Sequence, residues 1–404
     1  MSASRSRWIS SPSGTGVCFK LNLRRLFLLC ALGLSSPGAA LQPIQPTKDD
    51  EPAEEEKKSR LFLLLAYQPG WVAATSDFLA GHNEAGEPIE RVQAFKVELG
   101  WQTDGTKDWE QRYRLPAFGI GVYKASFENG EELGAPVALY GWFTWPMFNV
   151  SRKLDVTTEL SLGAAFNWNP FDPEVNPAND AVSTRVTFFA EWGLLARYAL
   201  TPRLDLMAGG MFTHFSNGGT GFPNLGVNAL TPVVRVGYHF QNDRPRFVRR
   251  ELPPFEPFWE MTLAGGAGWK KVALEEGPED FGVFAATFEL SRHVHSMGKL
   301  VGGADWTYDD SANAGLDHVS SSDRMAVGLF GGYEHLIGRF SIPVSVGYYV
   351  ARGREDDRLP ALYQKIGLKY HVTDRLFVGL KTRFYNFTKA DFVKWTLGYD
   401  FRRW

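Results

Sequence analysis

Cysteine is nearly missing from this chain. Of 404 residues only 2 are Cys, and both, Cys18 and Cys30, lie near the start. A disulfide framework and thiol chemistry are therefore excluded for any mature protein that begins beyond them. A dominant charge of one sign is also lacking. The formal net charge is -2, which gives no reason to expect nucleic acid as a partner. Beyond residue 40 no apolar run approaches the length of a membrane helix. No G-x-S-x-G elbow and no H-E-x-x-H helix occurs, so those hydrolase patterns are absent. His293 and His295 share a face but have no third ligand in view, and the sequence implies no metal and no cofactor.

What is abundant points to strands. Aromatic residues make up 14% of the chain, with 13 Trp and 30 Phe, beside 41 Gly. That mixture suits many strands of mixed polarity whose rings stand at an interface. At the N-terminus, Arg24 and Arg25 precede the apolar run Leu26 to Leu34, and Gly38, Ala39 and Ala40 follow. This is the pattern of an export signal spanning 1–40, cleaved after Ala40, which would remove both cysteines. Residues 41–60 include Asp49, Asp50, Glu51, Glu54, Glu55 and Glu56 among prolines, and read as an acidic flexible tether.

From residue 61 the chain alternates with a period of two. Leu154, Val156, Leu160, Leu162 and Phe166 face one way, while Asp155, Thr157, Glu159 and Ser161 face the other. Val393, Trp395, Leu397, Tyr399 and Phe401 alternate likewise with Lys394, Thr396, Gly398 and Asp400. Each such segment is a strand with one apolar and one polar face. Roughly sixteen are present, each near the span of a membrane strand. Short connections (149–153, 201–202, 293–296, 335–338 and 373–374) alternate with longer polar ones such as 169–181 and 309–322. Short turns on one side and long loops on the other distinguish an outer-membrane antiparallel β-barrel from a secreted β-sandwich, which has no cause for that asymmetry.

The chain also looks duplicated. The stretch 194–204 parallels 368–376, and each half ends in Gly-Tyr-x-Phe, at 237–240 and at 398–401. The Tyr-x-Phe ending resembles the C-terminal signal of outer-membrane barrels. The expected organisation is an all-β chain with one eight-stranded unit at 61–240, a Pro-rich linker at 241–257 and a second unit at 258–404. Closure as two barrels and fusion into one barrel of sixteen strands are both compatible with the pattern.

The stretch 213–228, THFSNGGTGFPNLGVN, joins two strands. His214 and Ser216 share the face that carries Leu204, Leu206 and Phe212, so they stand side by side on the lipid-facing surface. Asn228 has the same parity on the next strand, and a symmetric hairpin places it opposite His214. Three polar groups gathered on an apolar surface are costly in lipid unless they satisfy one another or do chemistry. If the chain starts in the periplasm, this end of the strands is extracellular and the cluster lies near the outer leaflet.

The sequence His214-Phe215-Ser216-Asn217, followed by Pro223-Asn224-x-Gly226, resembles the lipid A 3-O-deacylase family, the PagL-like or acyloxyacyl hydrolase proteins. Ala138-Leu139-Tyr140-Gly141 and the run Phe166 to Pro177 also look like its members, and the resemblance covers about residues 61–240. It implies an eight-stranded outer-membrane barrel that removes the ester-linked acyl chain at the 3-position of lipid A, with a Ser-His-Glu triad and no metal. Carried over, Ser216 is the nucleophile and His214 the base, and Asn217 with the amides of Gly218 and Gly219 would hold the oxyanion. Position 228, where the family has its acid, is Asn here. Its carbonyl can orient the imidazole but cannot stabilise the imidazolium by charge. The second half reads Tyr385-Asn386-Phe387 at the corresponding place and lacks the pair. The implied partner is lipid A or lipopolysaccharide in the membrane. The rival expectation is a non-catalytic outer-membrane barrel, a porin or scaffold, that keeps a degenerate site.

Overall fold

Strands whose two faces differ in polarity hide the polar face by closing on themselves, which also leaves no edge unpaired. The chain does this twice. The computed structural model describes residues 60–242, 250–274, 277–312, 319–353, 360–387 and 389–404, so the expected signal and nearly all of the expected tether lie outside the described residues. The first barrel comprises β1 (Leu61–Val72), β2 (Arg91–Gln102), β3 (Ala117–Phe127), β4 (Gly134–Asn149), β5 (Leu154–Trp168), β6 (Thr187–Ala199), β7 (Leu204–Ser216) and β8 (Val227–His239). Every neighbour is antiparallel, and β8 pairs with β1 to close the ring. The second comprises β9 (Trp259–Leu274), β10 (Gly277–His295), β11 (Gly298–Asp309), β12 (Met325–Ile337), β13 (Phe340–Arg352), β14 (Leu362–His371), β15 (Leu376–Tyr385) and β16 (Lys389–Arg403), closed by β16 on β9. Of the two closures that the sequence allows, two separate rings form.

The outward faces are apolar. Leu65, Phe95, Val97, Ile120, Leu139 and Val234 all project from the first barrel and are exposed. The inward faces are ionic. Lys96 contacts Glu191, Glu98 and Glu159, while Arg235 makes a two-pronged pair with Glu159 at 2.7 and 2.9 Å. Gln68 donates to Glu191 at 2.6 Å and the Tyr140 hydroxyl to Glu98 at 2.6 Å. These groups fill the ring, so the first barrel is a packed lumen rather than a channel. Removing one partner of such a buried pair strands the other charge. Arg235→Met is expected to destabilise the first barrel by about 3–5 kcal/mol. A lowered midpoint for heat-modifiable migration in detergent checks it, and an unchanged midpoint contradicts the ionic plug.

The connection between β2 and β3 departs from the expected alternation. It lies at the end of the short turns, yet runs from 103 to 116 and holds a helix, α1 (Asp108–Arg112). That length serves a contact between the barrels. The Tyr113 hydroxyl donates to the Leu336 carbonyl and accepts from His335 Nε2, both at 2.7 Å, and Trp109 covers Gly338. Around them Phe143, Trp145 and Leu160 of the first barrel pack with Ile337, Ile342 and Val344 of the second. The two barrels therefore touch along their sides.

Candidate active site

β7 carries His214 and Ser216 because an inward anchor lies between them. Phe215 is buried in the lumen, its ring 5.1 Å from Trp168 edge-on, 5.5 Å from Phe189 and 6.0 Å from Tyr123. The Trp168 indole donates in turn to the Thr187 hydroxyl at 3.0 Å. Since successive side chains alternate, fixing Phe215 inward turns His214 and Ser216 outward together. Both are half-buried on the outer face.

His214 and Asn228 are direct partners in the β7–β8 ladder. The imidazole Nδ1 lies 2.7 Å from Asn228 Oδ1. An amide oxygen only accepts, so Nδ1 carries the proton and Nε2 presents a lone pair. Asn228 differs from the expectation of a surface group, because it is only 2% exposed although Leu230 and Val234 on the same face are open. An ordered His-Asn pair thus stands beside the serine. Among the described residues the Ser216 hydroxyl makes no hydrogen bond, to His214 or to any other group.

The loop after Ser216 is built by its own polar side chains. Asn217 accepts the Gly219 N–H at 2.9 Å and donates its amide to Ser183 Oγ at 3.0 Å and the Gly221 carbonyl at 3.2 Å. Its own N–H goes to Asn224 Oδ1 at 3.0 Å. Both Asn217 donors, its backbone N–H and its side-chain amide, and the Gly219 N–H thus hold the loop together. Of residues 217–219 only the Gly218 N–H is left without an acceptor among the described residues. Gly218 and Gly219 adopt φ of +67° and +92°, the left-handed region that favours glycine. Gly226, at φ +72°, lies so close that a Cβ there would be 2.8 Å from the Phe215 carbonyl and 3.5 Å from both His214 Cε1 and Ser216 Cβ. Asn224, Ser183 and Phe215 were not singled out as positioning residues. For Asn224 the P-N-x-G spacing was the available signal; for Ser183, far along the chain, no local signal exists.

The second barrel also meets this loop. A Cβ on Gly218 would fall 2.5 Å from Val393 Cγ2, and one on Gly219 2.6 Å from the Asp391 carbonyl. Val393 is only 8% exposed, whereas Trp395 and Leu397 on the same outward face of β16 are 65% and 58% exposed. At the other end of the site, β7 continues outward-facing through Phe212, which is flanked by Trp192 of β6 and Leu230 of β8. A half-buried His-Ser pair is thus set at the top of an apolar strip. In the second barrel, Tyr385 points into the lumen, its hydroxyl 3.4 Å from that of Tyr349, and offers no equivalent pair.

The profile of the lipid A 3-O-deacylase (PagL) family matches residues 95–239, and that of the acyloxyacyl hydrolase C-terminal domain (PagL_C) matches residues 258–404. Both halves of the chain thus match models of the PagL family. The family likeness is not confined to the first unit, as the motif alone suggested, but takes in the second barrel as well. No curated protein sequence matches the chain. Among solved structures, Neisserial surface protein A shares 10% identity at a TM-score of 0.29, over 45% of this chain and 97% of its own. The Acinetobacter baumannii outer membrane protein Omp33 shares 7% at 0.18, over 85% and 99%. Within the match to the lipid A 3-O-deacylase model, position 228 is Asn.

Proposed function

We propose that the protein is an outer-membrane serine esterase that removes an ester-linked acyl chain from lipid A or a similar glycolipid of the outer leaflet. The observation that carries this reading is the 2.7 Å contact between His214 Nδ1 and Asn228 Oδ1, with Ser216 adjacent on the same lipid-facing surface. An imidazole protonated at Nδ1 has Nε2 free to act as base. As Ser216 Oγ attacks the ester carbonyl carbon, its proton passes to His214 Nε2 and the carbonyl oxygen takes the negative charge. The Gly218 N–H is the donor available to that oxygen. Collapse of the intermediate breaks the bond to the sugar oxygen, which leaves with the proton from His214. Water then attacks the acyl-serine by the same relay and releases the fatty acid. The apolar strip at Phe212, Trp192 and Leu230 gives the acyl chain a surface to lie along. No step calls for a metal or a cofactor.

A non-catalytic role as a porin or scaffold is the competing reading. The ionic plug of the first barrel speaks against a pore there, while Asn228 in place of the family acid speaks for a weakened site. Mass spectrometry of lipid A from cells with and without the protein tests the proposal. Loss of one hydroxyacyl chain in the presence of the parent protein is the expected result. Identical lipid A in both strains would remove the esterase reading.

A further inference from the structure

The lumen of the second barrel contains a lattice of cations on three successive strands. Lys365 and Lys369 on β14, Lys381 and Arg383 on β15, and Lys394 on β16 all point inward and are buried. Lys365 sits directly opposite Arg383, and Lys381 directly opposite Lys394. Three of the five have counterions. Lys365 pairs with Asp305, Lys369 donates to Glu334 at 2.6 Å and Arg383 donates to Asp391 at 2.7 Å. Lys381 and Lys394, at 7% and 6% exposure, have no hydrogen bond or ion pair among the described residues.

That arrangement is unfavourable as it stands. Like charges directly opposite one another on paired strands destabilise a sheet, and a buried ammonium needs a partner. Glu289 faces Lys381 and Asp305 faces Lys394 without direct contact, and Asp305 is shared with other donors. Its oxygens already accept from Thr287 at 2.7 Å and Tyr363 at 3.0 Å, as well as from Lys365. Lys381 and Lys394 line a small cavity together with Asp305, Tyr363, Lys365 and Arg383. Two residues along the inward face of β16, the Thr396 hydroxyl is buried and has no hydrogen-bond partner among the described residues.

We propose that this cavity is a binding site for a small inorganic anion, held between the ammonium groups of Lys381 and Lys394. The anion gives these two ammonium groups a direct counterion and ties β15 to β16, the strand whose Val393 supports the Gly218 loop. The site stands apart from the esterase chemistry and does not depend on it.

The test uses the full chain folded in detergent at fixed pH and ionic strength, with gluconate as the bulky reference anion and chloride or phosphate replacing it. The unfolding midpoint of the parent should rise by a few degrees, saturably, with chloride or with phosphate, because a ligand that binds only the folded state stabilises it. Whichever of the two acts identifies the anion. Lys394→Glu gives Lys381 an internal partner, so its midpoint in gluconate should exceed the parent's and should not respond to added anion. Should that variant fail to fold, the double substitution Lys381→Met, Lys394→Met removes both charges and should likewise lose the response. A parent midpoint that is the same in gluconate, chloride and phosphate overturns the proposal. So does an undiminished anion response in the variants.

Discussion

Ser216→Ala and His214→Ala are each expected to abolish release of the acyl chain, with losses on the order of 10^4–10^6 in turnover. The two should not add. A nucleophile without its base, and a base without its nucleophile, both leave only what binding and the oxyanion donor contribute, so the double substitution should be no slower than either single one. Folding should persist in all three. Both side chains are half-buried on the outer face, and the strand is held by Phe215 rather than by them. Single-turnover assays on purified lipid A, with heat-modifiable migration as the folding control, measure this. Unaltered deacylation by either single variant rules out the mechanism, and multiplied losses in the double variant would mean that the two residues act separately.

Asn228→Asp should raise turnover. The contact with His214 is already at 2.7 Å inside a closed site, so the isosteric acid fits where the family's longer Glu would need room for another methylene. A carboxylate there stabilises the imidazolium that forms as Ser216 attacks, which the neutral amide cannot do. The reverse change in a serine protease lowers kcat about 10^4-fold, a value that bounds the gain from above. Burial opposes the ionised form, so the gain should be larger at alkaline than at acidic pH. Asn228→Leu is the control and should fall below the parent, because nothing then fixes the imidazole tautomer. Equal rates for parent, Asp and Leu variants across pH would detach position 228 from catalysis and shift the balance to a non-catalytic barrel.

Much of this protein was determined by its sequence. A period of two is a local property, so parity alone set which side chains of β7 and β8 face outward and brought His214, Ser216 and Asn228 to one face. The duplicated Gly-Tyr-x-Phe endings and the short turns likewise placed the strands, because a tight turn and its flanking alternation are written in neighbouring residues. Ring closure was not legible in the same way. Two barrels and one differ only in whether β1 pairs with β8 or with β16, and pairing partners far apart in sequence leave no local trace. The same reason hid the loop contacts of Asn217: its donors go to Ser183, Gly221 and Asn224, and the first of these is reached only through the fold. The support that Val393 and Asp391 give to Gly218 and Gly219 likewise arises only when two barrels stand side by side. Alternation can assign a residue to a face, but only tertiary packing decides what meets it there.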